Sequence, residues 1–229
     1  MAEKERWDGW LSPRQWMPIV GVLSLAVIAL AVVLFLNSDD DGDGGGPQAS
    51  TGNGRVPTHE HADFALFIRG QQFNFNQPGM VSNEEAEVVS GNVHIHDPRY
   101  TVVHVHTTLT TWDEFFRSIG FELTDPSFPG ITDERTCLVM PDGQKLCNTA
   151  TEKWKFIVNG VPVDGVADVN IGDLSRVLFS YGPESVAQVL QTQYPLVTDQ
   201  ACIVSELCLN RIDPNEPKEQ CTGRTDQCN

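Results

Sequence analysis

The chain has 229 residues, 31 of them acidic and 15 basic, for a formal net charge of −16. That balance excludes a nucleic-acid binder, and an anionic-lipid binder, because both need the opposite sign. It suits solubility, or a saline or cation-rich exterior, and 24 of the acidic residues lie from Arg55 onward.

Residues 1–16 read as a cytoplasmic stub. From Met17 to Leu36 the chain runs without a charge, and about 20 apolar residues is what a helix needs to cross a bilayer. Lys4, Arg6 and Arg14 precede the run, Trp10 and Trp16 suit the interface, and no basic residue follows until Arg55. The positive-inside rule therefore puts the N-terminus in the cytoplasm and everything after Leu36 on the extracellular or periplasmic side of the cell membrane. A cleavable signal peptide would carry its small-residue site behind a shorter apolar core. Here Ala29-Leu30-Ala31 lies within the run, so the expectation is an uncleaved anchor. Residues 37–55, rich in Gly, Asp, Ser and Asn, read as a tether. Asp39, Asp40, Asp41 and Asp43 lack the ligand spacing and terminal Glu of a calcium loop.

Residues 56–195 are enough for one domain with its own core. Residues 62–69 predict a strand, with Gly70 leading into 71–75. Ser82-Asn83-Glu84-Glu85 has capping-box form. Residues 92–96 and 101–107 alternate like two strands joined by Asp97-Pro98-Arg99-Tyr100. Thr111-Trp112-Asp113-Glu114 is a second capping box, opening a helix whose apolar residues Trp112, Phe115, Phe116 and Ile119 share one face, with Gly120 as its stop. A hairpin between Cys137 and Cys147, strands over 155–158 and 176–181, an Asn159-Gly160 turn and a short helix over 185–193 follow. Strands with few helices predict an α+β fold.

All six cysteines follow the apolar run. An even count outside the cytoplasm predicts disulfides. Cys137 and Cys147 flank a turn-like centre and can face each other. Cys202, Cys208, Cys221 and Cys228 belong to a polar tail, 196–229, with three possible pairings. No Cys-x-x-Cys occurs, which argues against a thioredoxin-type centre.

All six histidines fall in His-x-His pairs: His59/His61, His94/His96 and His104/His106. On a strand, i and i+2 share one face about 7 Å apart, a spacing that lets two imidazoles close on one ion. Unpartnered burial of six imidazoles is costly, which leaves a solvated polar face, a proton-sensing cluster or a metal site. The last fits the pattern best, since imidazole is a preferred ligand of copper and zinc and copper has the higher intrinsic affinity. If the 94–106 hairpin pairs with an odd number of enclosed residues, His94, His96, His104 and His106 share one face, and Val93, Ile95, Val103 and Val105 share the other. His59 and His61, read as preceding the first strand, would close the site from its edge. Glu60, Asp63 and Asp97 are candidate acceptors for ring N–H groups. Three histidines suit one ion with an open position, and six suit two ions.

The segments 111–119, Trp154–Gly160, Gly172-Asp173 and Val177–Gly182 follow an order that resembles the β-grasp arrangement of domains related to the C-terminal part of transcobalamin. That likeness implies a small sheet packed on one main helix and no ligand. The region after the anchor also resembles an uncharacterised family of single-anchor extracytoplasmic prokaryotic proteins. These share the His59–Phe64 motif, the doubled His-x-His hairpin and a Cys-rich end like Ala201–Cys208. Three functional expectations stand. The first is a membrane-anchored binding protein for copper or zinc that serves as carrier, store or accessory subunit. The second is a metalloenzyme with a three-histidine centre. The third is a non-metal interaction module of a membrane complex.

Overall fold

Apolar alternation and turn chemistry decide the path of this chain, seen here in a computed structural model that describes residues 54–82 and 90–213. The expected anchor at 17–36, the stub before it, the tether up to residue 53, the capping box beyond Ser82, and Cys221 and Cys228 lie outside those residues. No helix among the described residues is long and apolar enough to cross a membrane.

The described residues fold as α+β, mostly sheet. Strands β1 (Pro57–Ile68), β2 (Gln71–Gln72), β3 (Val93–His94) and β4 (Val102–Thr107) come first. Helix α1 (Trp112–Ser118) is followed by β5 (Glu122–Thr124), β6 (Cys137–Val139), β7 (Lys145–Cys147), β8 (Lys153–Val158), β9 (Val161–Val163) and β10 (Arg176–Gly182). Helices α2 (Val186–Thr192) and α3 (Ala201–Val204) close the described chain. The larger sheet runs β3-β4-β1-β10-β8-β9, with β2 paired to the far end of β1, and β5-β6-β7 form a second, smaller sheet. β1 and β10 are parallel; the other pairings of the larger sheet are antiparallel.

Side-chain alternation gives the larger sheet two different faces. Ala62, Phe64 and Leu66 of β1 join Val93, Ile95, Val103, Val105 and Phe179 in the main core. There α1 lays down Trp112, Phe115 and Phe116, with Phe116 4.8 Å from Phe179 and Phe115 5.0 Å from Phe64 between ring centroids. Thr111 caps this helix by accepting from the Glu114 N–H, and Gly120, at φ +86°, ends it as the spacing predicts. On the opposite face Ala65, Phe67, Ile157 and Leu178 meet Val189 of α2 and Val197 in a smaller cluster. The same face of β1 carries His61 and Asp63.

Several expectations shift. Only Gln71 and Gln72 of the 71–75 segment pair as strand; Phe73 and Phe75 leave the sheet to pack on Phe121. Arg55 already belongs to the folded unit, since its guanidinium donates to both Glu114 carboxylate oxygens. The first part of the tail is not a separate appendage either. Val197 and Ala201 are buried, and Val197 completes the smaller apolar cluster.

Two disulfides are formed among the described residues. Cys137–Cys147 bridges directly opposed residues of the β6–β7 hairpin, as its turn-like centre predicts. Cys202–Cys208 closes a loop of sequence separation 6 at the end of α3.

Candidate metal centre

The parity of the hairpin is odd. Val93 pairs with Val105 and His94 with His104, so the pair encloses residues 95–103. Val93, Ile95, Val103 and Val105 all enter the main core, which leaves the four hairpin histidines on the other face. β1 then adds the third row, because His61 pairs directly with His104. His59 and His61 therefore do not precede the first strand: they are part of β1, in the stretch before Asp63 where β4 is the paired neighbour and pairing with β10 has not begun. The strand reaches back to Pro57 because β4 supplies a partner along that stretch, with one register irregularity between Pro57 and Glu60.

All six imidazoles meet. Ring centroids are 4.6 Å apart for His59/His61, 4.6 Å for His61/His104, 4.1 Å for His104/His96, 5.9 Å for His96/His94, 5.0 Å for His94/His106 and 5.2 Å for His106/His59. The six rings form a closed circuit, crossed by a His94/His104 contact at 5.7 Å. His61, His94 and His104 are 0–1% exposed, and the other three are half-buried. A solvated polar face is thus not what the fold builds.

Within the circuit, ligand nitrogens of His59, His61 and His104 all lie within 4.8 Å of one another. Bonds of about 2.0–2.1 Å to a tetrahedral ion place imidazole nitrogens roughly 3.3 Å apart. Modest ring rotations close that difference, so the three residues fit one ion and leave a fourth position.

The groups behind the rings set their tautomers. A backbone carbonyl only accepts, so His94 Nδ1–H donates to Ser90 O at 3.2 Å and His96 Nδ1–H to Asp97 O at 2.8 Å. In the neutral imidazole that tautomer carries its remaining lone pair on Nε2. His61 Nδ1 meets Ser205 Oγ at 2.8 Å. The backbone of His61 is held as well: its N–H donates to Asp173 Oδ1 and its carbonyl accepts from Leu174 N–H.

The three carboxylates suggested as ring acceptors act elsewhere. Glu60 has the wrong parity for the histidine face, and its side chain accepts from Thr58 Oγ1. Asp63 lies on the histidine face but accepts from Thr198 Oγ1 and from the Gln200 and Ala201 N–H groups at the start of α3. Asp97 supports His96 through its carbonyl, while its carboxylate takes the Tyr100 hydroxyl. Ser205 and Ser90 were the residues missed. The apolar residues Ala201, Ile203 and Val204 are the sequence sign that this stretch returns to the domain. Two surface clefts, about 440 Å³ beside Trp154 and Lys155 and about 420 Å³ beside Phe73 and Tyr100, are lined by no histidine.

Comparison of the chain with protein-family models, with curated proteins and with solved structures gives no match.

Proposed function

We propose that this chain is a membrane-anchored metal-binding protein of the extracytoplasmic side, holding copper or zinc at His59, His61 and His104. The observation that carries the reading is the convergence of those three ligands within a circuit of six imidazoles. Nitrogen-only ligation suits borderline ions such as copper and zinc, with no thiolate to compete because the cysteines of the described residues are paired. Both disulfides suit an oxidising compartment. That agrees with the orientation read from the basic residues ahead of Met17, and the net charge of −16 favours cation capture.

A carrier, store or accessory subunit is favoured over an enzyme by burial. His104 is fully sealed and His61 nearly so, whereas a catalytic centre needs its open position in reach of a substrate. The β-grasp reading draws support from the parallel β1/β10 pair with α1 across one face. A metalloenzyme with a three-histidine centre remains the second reading, since three protein ligands leave a position for water or substrate.

Full-length protein, purified in mild detergent and stripped with a chelator, is the material for the test. Saturating copper or zinc should raise the midpoint of thermal unfolding, because an ion bound only by the folded state adds stability. His104→Ala should abolish most of that rise. An equal rise in the variant would overturn the assignment.

A further inference from the structure

Ser205, whose hydroxyl meets His61 Nδ1 at 2.8 Å, lies inside the loop that the Cys202–Cys208 bridge closes. Resting on the metal-binding reading, we infer that this disulfide is a redox latch on the metal site: reduction by a dithiol frees Ser205 from His61 and loosens the hold on the ion. The bridge is the covalent part of what shapes the loop. Helix α3 has four residues, and helices below about 12–15 residues are marginal on their own. Asp63 ties its start by accepting from the Gln200 and Ala201 N–H groups. Past Ser205, the Leu207 and Cys208 N–H groups donate to Cys202 O at 2.9 and 3.0 Å, closing the same turn that the bridge closes. Glu206, next to Ser205, stands at φ +55°, a left-handed conformation unfavourable for a residue with a side chain. Once the bridge opens, nothing covalent holds that turn.

The Cys137–Cys147 bridge does not fit this role, because it joins opposed residues of a hairpin whose pairing continues through Leu138/Leu146 and Val139/Lys145. Cys202 and Cys208 are only half-buried, and Glu206, Leu207 and Leu209 beside them are exposed, so a thiol can reach the sulfurs. Arg211 Nη1 lies 3.5 Å from Cys202 Sγ and 4.0 Å from Cys208 Sγ, its charge shared with Asp199 at 3.0 Å. A guanidinium there stabilises the thiolate that leaves in thiol–disulfide exchange. The thiolate of the dithiol attacks one sulfur, the other departs and takes up a proton, and the second thiol of the donor resolves the mixed disulfide. The donor loses two electrons and two protons and becomes a disulfide, while Cys202 and Cys208 become thiols. In an oxidising compartment the latch rests closed.

The test is a cycle of four full-length proteins in mild detergent: wild type, Ser205→Ala, Cys202→Ser/Cys208→Ser and the triple variant. Zinc is the probe because it does not oxidise thiols, and affinity is read by competition with a chelating dye. Opening the bridge should weaken zinc binding about 10–100-fold in the wild type, the range for losing the group behind a ligating histidine. It should change little once Ser205 is alanine. An equal loss in both backgrounds overturns the latch, because the bridge then acts on the fold and not through Ser205. No loss in the wild type overturns it too and leaves the metal site standing. Oxidised wild type that takes up no zinc removes the site, and the latch with it. A second measurement needs no variant, since linkage requires zinc to protect the bridge by the factor by which the open bridge weakens zinc. Wild type is equilibrated in glutathione redox buffers with and without excess zinc and alkylated, and its Cys202 and Cys208 thiols are quantified by mass spectrometry. Zinc should move the midpoint toward more reducing buffer; an unmoved midpoint overturns the latch.

Discussion

Ser205 would act on the proposed centre through another residue: its hydroxyl lies 2.8 Å from His61 Nδ1, on a ring proposed to ligate the ion. Groups in that position hold the tautomer and ring orientation of a ligating histidine, and their loss typically lowers metal affinity about 10–100-fold. Ser205→Ala should therefore weaken competitive metal binding by that range with little change in metal-free stability, and Ser205→Thr should restore most of it. Histidine pairing was legible at this scale because period 2 on a strand is so simple a rule. Second partners were not, because they depend on which carbonyl or hydroxyl the fold brings behind each ring. Far from the site, burial pushes the Lys155 ammonium below its ordinary range, against the upward pull of Glu184 and Glu152, while its Nζ donates to the Lys153 and Gly182 carbonyls. Between its lowered pKa and the usual lysine value the folded state binds fewer protons than the unfolded state, so stability rises with pH across that window. Urea unfolding of wild type and Lys155→Met at a series of alkaline pH values checks this, since the variant should lose that climb.

Elements with strong local rules came out as expected, and those that depend on distant partners did not. The Thr111 cap, the Phe115/Phe116 face and the Gly120 stop place α1 almost to the residue. The valine alternation fixes the parity of the β3–β4 hairpin, and with it the common face of four histidines. By contrast, nothing local says that β1 begins at Pro57, because that extension exists only where β4 pairs with it. The docking of the tail was hidden for the same reason: it rests on Asp63, more than a hundred residues away, accepting N–H bonds from Gln200 and Ala201. Asp63→Asn keeps the shape but loses the charge and one acceptor oxygen, which should cost about 1–3 kcal/mol. The expected signs are a lower urea midpoint and faster amide exchange at Gln200 and Ala201. Unchanged exchange there would show that α3 is held by its apolar contacts alone.

At the scale of the whole molecule, the sheet separates two tasks. One face is closed by aromatic packing under α1, which gives the strands a fixed register. The other carries three neighbouring strands' histidines side by side, His94, His104 and His61 in one row, with the disulfide-closed segment after α3 bracing the end of that row through Ser205. The central claim is that this row and its flanking rings are the ligands of a metal ion. X-ray absorption at the metal edge of the loaded full-length protein tests it most directly. The account predicts a nearest shell of nitrogen alone, at about 2.0–2.1 Å for zinc, with the outer-shell scattering of several imidazoles that disappears in His59→Ala/His104→Ala. A nearest shell containing sulfur, or one of oxygen alone without imidazole scattering, would contradict it.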